Sequence, residues 1–273
     1  MNKLTNYTTE KIFIRLINNK SNENYWKYIQ ELRKRKTDAI YKKSLLLIDS
    51  DSIKEKIIGL DVLNQFGYPR LHQKEIIQLF FKLLKSETDK EVLSSILYGI
   101  SHNNESLTNE QVDFLCSLKT HKSVYVKFSL VNALLTLEND NAIDTLIEFS
   151  KNKDFDIRNW ATFGLGSQTD IDNEKIRFAL WNKIKDTSKI VRQEAIAGLT
   201  QRKDKNIKDI LIQELKNIDE YSSLILESIE ELNDKSLIPY LENQIEENKT
   251  SKKVNEEWLV DTLEKLKSVN QKN

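Results

Sequence analysis

Asp156-Ile157-Arg158-Asn159-Trp160-Ala161-Thr162-Phe163-Gly164-Leu165 and Lys189-Ile190-Val191-Arg192-Gln193-Glu194-Ala195-Ile196-Ala197-Gly198-Leu199 are two copies of one pattern. In each, a β-branched residue and an arginine are followed by a small residue three positions on and by Gly-Leu at six and seven. Looser copies run from Val92-Leu93 to Gly99-Ile100 and from Val126-Lys127 to Ala133-Leu134, so the arginine-type positions stand 34, 31 and 34 residues apart. Weaker ones lie near Ile53-Lys54, Tyr221-Ser222 and Trp258. A period of this length marks stacked helical units, each too small to bury its own apolar face.

Working outward, a second amphipathic stretch precedes each copy: Ile76, Ile77, Phe80 and Leu84; Val112, Leu115 and Leu118; Ile143, Leu146 and Ile147; Ile176, Ala179 and Leu180; Ile207, Ile210 and Leu211. These spacings place one apolar stripe on a helix. Thr108, Asp154, Asn173, Ser188 and Ser236 stand where helices should start, since their side chains accept from the orphan N–H groups of a first turn. Pro239 falls in a first turn, where a missing N–H costs little. One repeat is thus two antiparallel helices. Thr8–Asn18, Tyr25–Lys36 and Thr37–Ile48 read as further helices at the front. Ala161, Gly164, Ala195 and Gly198 remove bulk where the second helix of each pair must approach its neighbours. Glycine inside a helix costs about 1 kcal/mol against alanine, so its recurrence in register implies a close contact.

The segments 157–166 and 191–199 resemble the short HEAT-like repeats named after phycobilisome lyases; the resemblance is strongest over residues 89–204 and extends over almost the whole chain. The Trp…Leu-Gly…Tyr signature of tetratricopeptide repeats and the Thr-Pro-Leu-His of ankyrins are absent. The expected fold is all-α: a right-handed α-solenoid of about eight HEAT-like antiparallel helix pairs. No Gly/Ser or Pro linker interrupts it, so residues 1–273 read as one domain. Residues 1–70 are expected as capping pairs, 71–234 as regular repeats, and 235–273 as a closing pair with a frayed tail from Lys265. There, Trp258, Leu259 and Leu263 are expected to cover the last repeat.

Composition agrees: 6 glycines and 2 prolines in 273 residues favour long helices, and 39% apolar content is too high for a disordered chain. The 42 basic and 42 acidic residues cancel, which disfavours a partner held through its phosphates. One cysteine, Cys116, allows neither an internal disulfide nor a thiolate cluster, and it reads as a small core residue. The opening Met1-Asn2-Lys3-Leu4-Thr5-Asn6 lacks an apolar stretch of signal-peptide length and no run suffices to cross a bilayer, so a cytoplasmic protein without a membrane partner is expected.

Candidate functional residues follow from the wheel. Counting from the arginine-type position, +3, +6 and +7 are buried, leaving +1, +2 and +5 for a groove. Those positions include Tyr98; Phe128 and Asn132; Asn159, Trp160 and Phe163; and Gln193 and Glu194. Exposed aromatics beside polar groups are usual anchors of binding sites, although Trp160 and Phe163 could equally fill the seam between repeats. Arg158, Arg192, Asp154, Asp156, Asp170 and Asp204 recur near turns, as capping and ladder residues do. His72, His102 and His121 lack metal-binding spacing. No catalytic constellation, cofactor motif or metal motif is found. Residues 27–43 hold seven basic side chains against two acidic, and residues 219–247 nine acidic against one basic. A basic front and an acidic back could recruit different partners or stack head to tail, though a monomer is expected.

The function expected is a non-enzymatic scaffold or adaptor that binds a protein or peptide along its groove. The repeat's family name implies the alternative of a bilin lyase-like or chaperone-like enzyme. A DNA-repair glycosylase is the remaining reading, and its basic groove is not found here.

Overall fold

Asp154 accepts from the Ile157 N–H at 3.1 Å and so begins a helix at Phe155; Thr8, Ser21, Thr37, Ser52 and Asp89 open helices in the same way. The structure, a computed structural model, describes residues 3–268, which contain sixteen α-helices, four short 3-10 turns and no strand. Thr108 completes a reciprocal capping box with Gln111, Asn173 accepts from Ile176, Ser188 stands at a helix start without a side-chain cap bond, and Pro239 occupies a first turn. Ser236 lies instead in a 3-10 turn, capped by Asp234.

Residues 1–142 and 143–273 form two compact units, and no linker composition marks the division. The first holds α1 (Thr9–Ile17), α2 (Asn22–Arg35), α3 (Asp38–Ile48), α4 (Ile53–Asn64), α5 (Gln73–Leu84), α6 (Lys90–Ser101), α7 (Asn109–Ser117) and α8 (Val124–Leu134). The division falls within α9 (Asp140–Phe149), and the second unit continues through α10 (Phe155–Ser167), α11 (Glu174–Lys183), α12 (Lys189–Gln201), α13 (Ile207–Leu215), α14 (Ser223–Leu232), α15 (Ile238–Ser251) and α16 (Glu256–Ser268). The frayed tail expected from Lys265 is helical as far as Ser268; the remainder lies outside the described residues.

Packing alternates along the chain. In the first unit α6 touches α5 before it and also α4 and α8; in the second, α12 touches α11, α10 and α14. The repeat sequence explains this. Ile157, Ala161 and Leu165 on α10, and Val191, Ala195 and Leu199 on α12, are buried together with the Gly positions beside them. Cys116 is buried as well.

Backbones meet closely between α10 and α12. A Cβ on Gly198 would overlap the Cα of Gly166 and lie 3.0 Å from Leu180 Cδ1, and one on Gly166 would stand 2.8 Å from the Glu194 carbonyl oxygen. The glycine opposite Gly198 is therefore Gly166, two residues beyond the Gly164 that the pattern points to.

Arg202 closes the same crossing. It is 9% exposed, and its guanidinium donates to the carbonyls of Leu165 (2.9 Å), Gly166 (2.8 Å), Thr169 (3.0 Å), Ile171 (3.0 Å) and Gly198 (2.9 Å). The carbonyls of Leu165, Gly166 and Gly198 belong to helix ends that have no partner within their own helix, those of Thr169 and Ile171 to the connection after α10, and a planar fork is suited to several at once. The first unit does the same with an amide. Asn103 stands four residues after Gly99, as Arg202 does after Gly198, and donates to Gly99 O (2.7 Å) and to Asn64 O at the end of α4 (2.8 Å).

Recurring charges are likewise structural. Arg158 grips Asp186 through Nε (2.8 Å) and Nη2 (3.2 Å) while its Nη1 donates to Asn152 O (2.9 Å). Arg192 repeats the last bond to Asp186 O (2.9 Å). Asp204 accepts from Arg177 and Trp181.

Two outcomes are expected in urea unfolding. Gly198→Leu overpacks the crossing and lowers stability by about 1–3 kcal/mol; an unchanged midpoint would remove the close-approach assignment. Arg202→Met leaves at least three buried carbonyls unpaired and costs about 3 kcal/mol or more, whereas a loss under about 1 kcal/mol would show that water replaces the guanidinium.

Candidate functional site

An inner helix with neighbours on three sides has little surface left. On α12, Val191, Gln193, Ala195, Ile196, Gly198, Leu199 and Thr200 are all buried, so beyond Lys189, Ile190 and Arg192 at its start the residues left open are Glu194, Ala197 and Gln201. These stand at i, i+3 and i+7, one row of a helix. The same spacing gives Trp160, Phe163 and Ser167 on α10, Leu224, Glu227 and Glu231 on α14, and Trp258, Asp261 and Lys265 on α16.

The rows join into one strip within the second unit. Ser167, Ala197, Gln201, Leu224, Glu227 and Glu231 line a shallow cleft of about 310 Å³. Glu227, Trp258, Asp261 and Lys265 help line a second, of about 300 Å³, so Glu227 borders both. Trp160 and Phe163 pack edge to face, with ring centroids 5.5 Å apart, a geometry the ring quadrupoles favour. Trp160 is nevertheless 37% exposed and Trp258 42%. Trp258 thus opens onto the strip, while its neighbour Leu259 is the residue that covers the core.

The electrostatics are those of an acidic face. Glu194, Glu227, Glu231 and Asp261 lie along the strip, and its cation, Lys265, is held by Glu230 at 2.7 Å. The Glu194 carboxyl is pushed up to about 7, first by burial and then by the neighbouring Glu227. The strip can therefore offer hydrogen-bond acceptors and negative charge beside two aromatic surfaces.

Not every predicted position is open. Gln193 is 4% exposed and points into the packed side of α12, where its amide nitrogen makes no hydrogen bond among the described residues. Asn159, at the equivalent place on α10, is half-buried, and its amide oxygen is likewise unpaired. The +1 position faces the next helix because each inner helix is packed on both flanks. In the first unit Tyr98, Phe128 and Asn132 are half-buried, with Ser95 and Ser129 buried beside them. Ser129 donates to Tyr125 O (2.9 Å) and Ser95 to the Asp61 carboxylate (2.7 Å). Asp61 also accepts from the Tyr25 hydroxyl at 2.7 Å, so this buried acid braces α2, α4 and α6.

Glu227, Glu231, Trp258 and Asp261 were not among the predicted site residues. The signal for them is present in the acidic run 219–247 and in the i, i+3, i+7 spacing, but it emerges only once the open row is known.

No family model matches the chain. Protein YibA of Escherichia coli K12 is 36% identical over 124 residues, which is 45% of this chain and 44% of YibA, and YibA of strain O157:H7 matches equally. The aligned region thus spans less than half the length of these curated relatives. An X-ray structure of E. coli YibA covers 98% of this chain and 95% of its own with a TM-score of 0.70 at 22% identity. The crystal structure of an engineered protein covers 93% and 77% with a TM-score of 0.51 at 16% identity. Both share the fold. No helix among the described residues is long and apolar enough to cross a membrane.

The raised carboxyl of Glu194 has a thermodynamic counterpart. Its affinity for a proton is higher folded than unfolded, so its stabilising contribution is complete below pH 4.5 and is lost as the pH rises through about 7. Glu194→Gln should therefore be less sensitive to pH than wild type between those values and more stable than wild type at alkaline pH. Parallel pH profiles in denaturant unfolding would contradict this.

Proposed function

We propose that this chain is a non-enzymatic binding module, built within each unit as a right-handed α-solenoid of HEAT-like helix pairs, and that its second unit takes up a basic segment of another protein. Support for the solenoid comes from the alternation of packing, in which every second helix touches its counterparts on either side. Stacks of this kind present a long face composed of one row from each inner helix.

The observation that carries the functional reading is the strip itself. Four acidic side chains and two part-exposed tryptophans occupy the open rows of α10, α12, α14 and α16, and Lys265 is already paired. Lysine and arginine side chains match such a face in both respects, offering charge to the carboxylates and apolar stems or guanidinium planes to the indoles. Aromatic residues that are partly buried at one end and wet at the other dominate binding energy in most interfaces. The strip contains no pairing of nucleophile and base, so it is suited to holding a segment rather than transforming it.

Calorimetric titration with defined peptides tests this. A Lys/Arg-rich peptide containing one aromatic residue should bind with an affinity that falls as salt rises, and its Asp/Glu counterpart should not bind. Trp160→Ala should weaken the basic peptide by about tenfold or more with little change in melting temperature. Equal binding of both peptides, or a large loss of stability in Trp160→Ala with unchanged affinity, would make the strip a packing surface.

A further inference from the structure

The basic run of residues 27–43 separates into cations that are neutralised and cations that are not. Lys27 is paired with Glu23 (2.5 Å), and Arg35 with Glu31 (2.9 Å) while it also reaches the carbonyls of Leu4 and Tyr7. Arg33, Lys34 and Lys36 have no carboxylate within ion-pair distance among the described residues, and neither does Arg70 from the loop between α4 and α5. All four line one cleft of about 390 Å³ together with Tyr68, which is 90% exposed. The rest of its lining is uncharged.

The bonds these cations do make fix their positions without cancelling their charge. Arg33 donates twice to the backbone carbonyl of Asp61, through Nε at 3.0 Å and Nη2 at 2.6 Å. Arg70 Nη1 donates to Gly67 O (3.3 Å), and Lys36 Nζ to Tyr68 O (3.1 Å). Arg33 Nη1 and Arg70 Nη2 keep their donors for something else. The buried acid Asp61 is already engaged by Tyr25 and Ser95; burial pushes its carboxyl up, while those two hydrogen bonds and the charge of Arg33 oppose the shift.

The arrangement is electrostatically uphill as it stands. Burial lowers the proton affinity of Arg33, with the charge of Asp61 opposing that shift and Arg70 adding to it, and desolvation followed by Arg33 and Arg70 lowers that of His102. Packing does not require the clustering, since Lys34 and Lys36 are exposed. A bound dianion would offset it.

We propose that this cleft in the first unit is a binding site for a phosphate monoester group, gripped by Arg33 and Arg70 and neutralised by Lys34 and Lys36. The remaining Nη donors of two guanidiniums and two ammonium groups match the three acceptor oxygens and the charge of such a group better than they match one carboxylate. The cleft is larger than a phosphate alone, leaving room for part of the molecule that carries it.

His102 supplies a readout that is separate from affinity. Inorganic phosphate, added against chloride at equal ionic strength, should raise the His102 pKa followed by NMR, because a bound dianion opposes the two guanidiniums. Arg70→Gln should weaken phosphate binding by about tenfold or more, and the exposed Lys34→Gln by about twofold to fivefold. Tighter binding of a phosphoserine peptide than of inorganic phosphate assigns the group to a protein partner, and equal affinity assigns it to a free phosphorylated small molecule. A His102 shift that chloride reproduces, or a folded Lys34→Gln and Arg70→Gln pair that binds phosphate like wild type, would overturn the site.

Discussion

Where α10 crosses α12, backbone meets backbone. Gly166 and Gly198 face each other with no room for a Cβ on either side, and the helix ends come close enough for one guanidinium to serve both. The two features depend on each other. Without the glycines, the carbonyls of Gly166 and Gly198 would stand too far apart for Arg202 to reach both. Without Arg202, those carbonyls would be buried and unpaired. In the first unit Asn103 reaches the carbonyls of both Asn64 and Gly99, so the principle is repeated with a shorter side chain. The position four residues after the repeat glycine is thus a staple between successive inner helices.

That constraint also determines what remains for recognition. Helices drawn together on both flanks keep one open row, and in the second unit those rows carry acids and aromatics. In the first unit four cations, Arg33, Lys34, Lys36 and Arg70, share one cleft beside the loop that follows α4. A chain with no net charge is therefore strongly polar at the scale of its surfaces. The overall charge balance, which argues against a general attraction to polyanions, says nothing about either local face.

Much of the fold was legible in the sequence. The buried +3, +6 and +7 positions follow directly from the spacing of Ala161, Gly164 and Leu165, because a helix repeats its faces whatever it packs against. Capping by Thr108, Asp154 and Asn173 was legible for the same local reason. Gly166 was not singled out as the partner of Gly198, since the repeat has no glycine at the matching place after Leu199. Arg202 and Asn103 share a position but differ in residue type, so no pattern of letters links them. The predicted site positions divide by exposure. Trp160, Phe163 and Glu194 lie on the open row, whereas Gln193 is turned inward, because a wheel built from one helix cannot show how many neighbours that helix has.

The single open row on each inner helix has a consequence for how such a chain can change. Residues at i, i+3 and i+7 on α12 touch the surface without supporting the core, while the positions between them are committed to neighbours. Recognition and architecture are therefore written in separate, interleaved alphabets on the same helix. On the proposed reading, a lineage could exchange one partner for another by rewriting a few letters on each of four helices, and the stack beneath would keep its shape throughout.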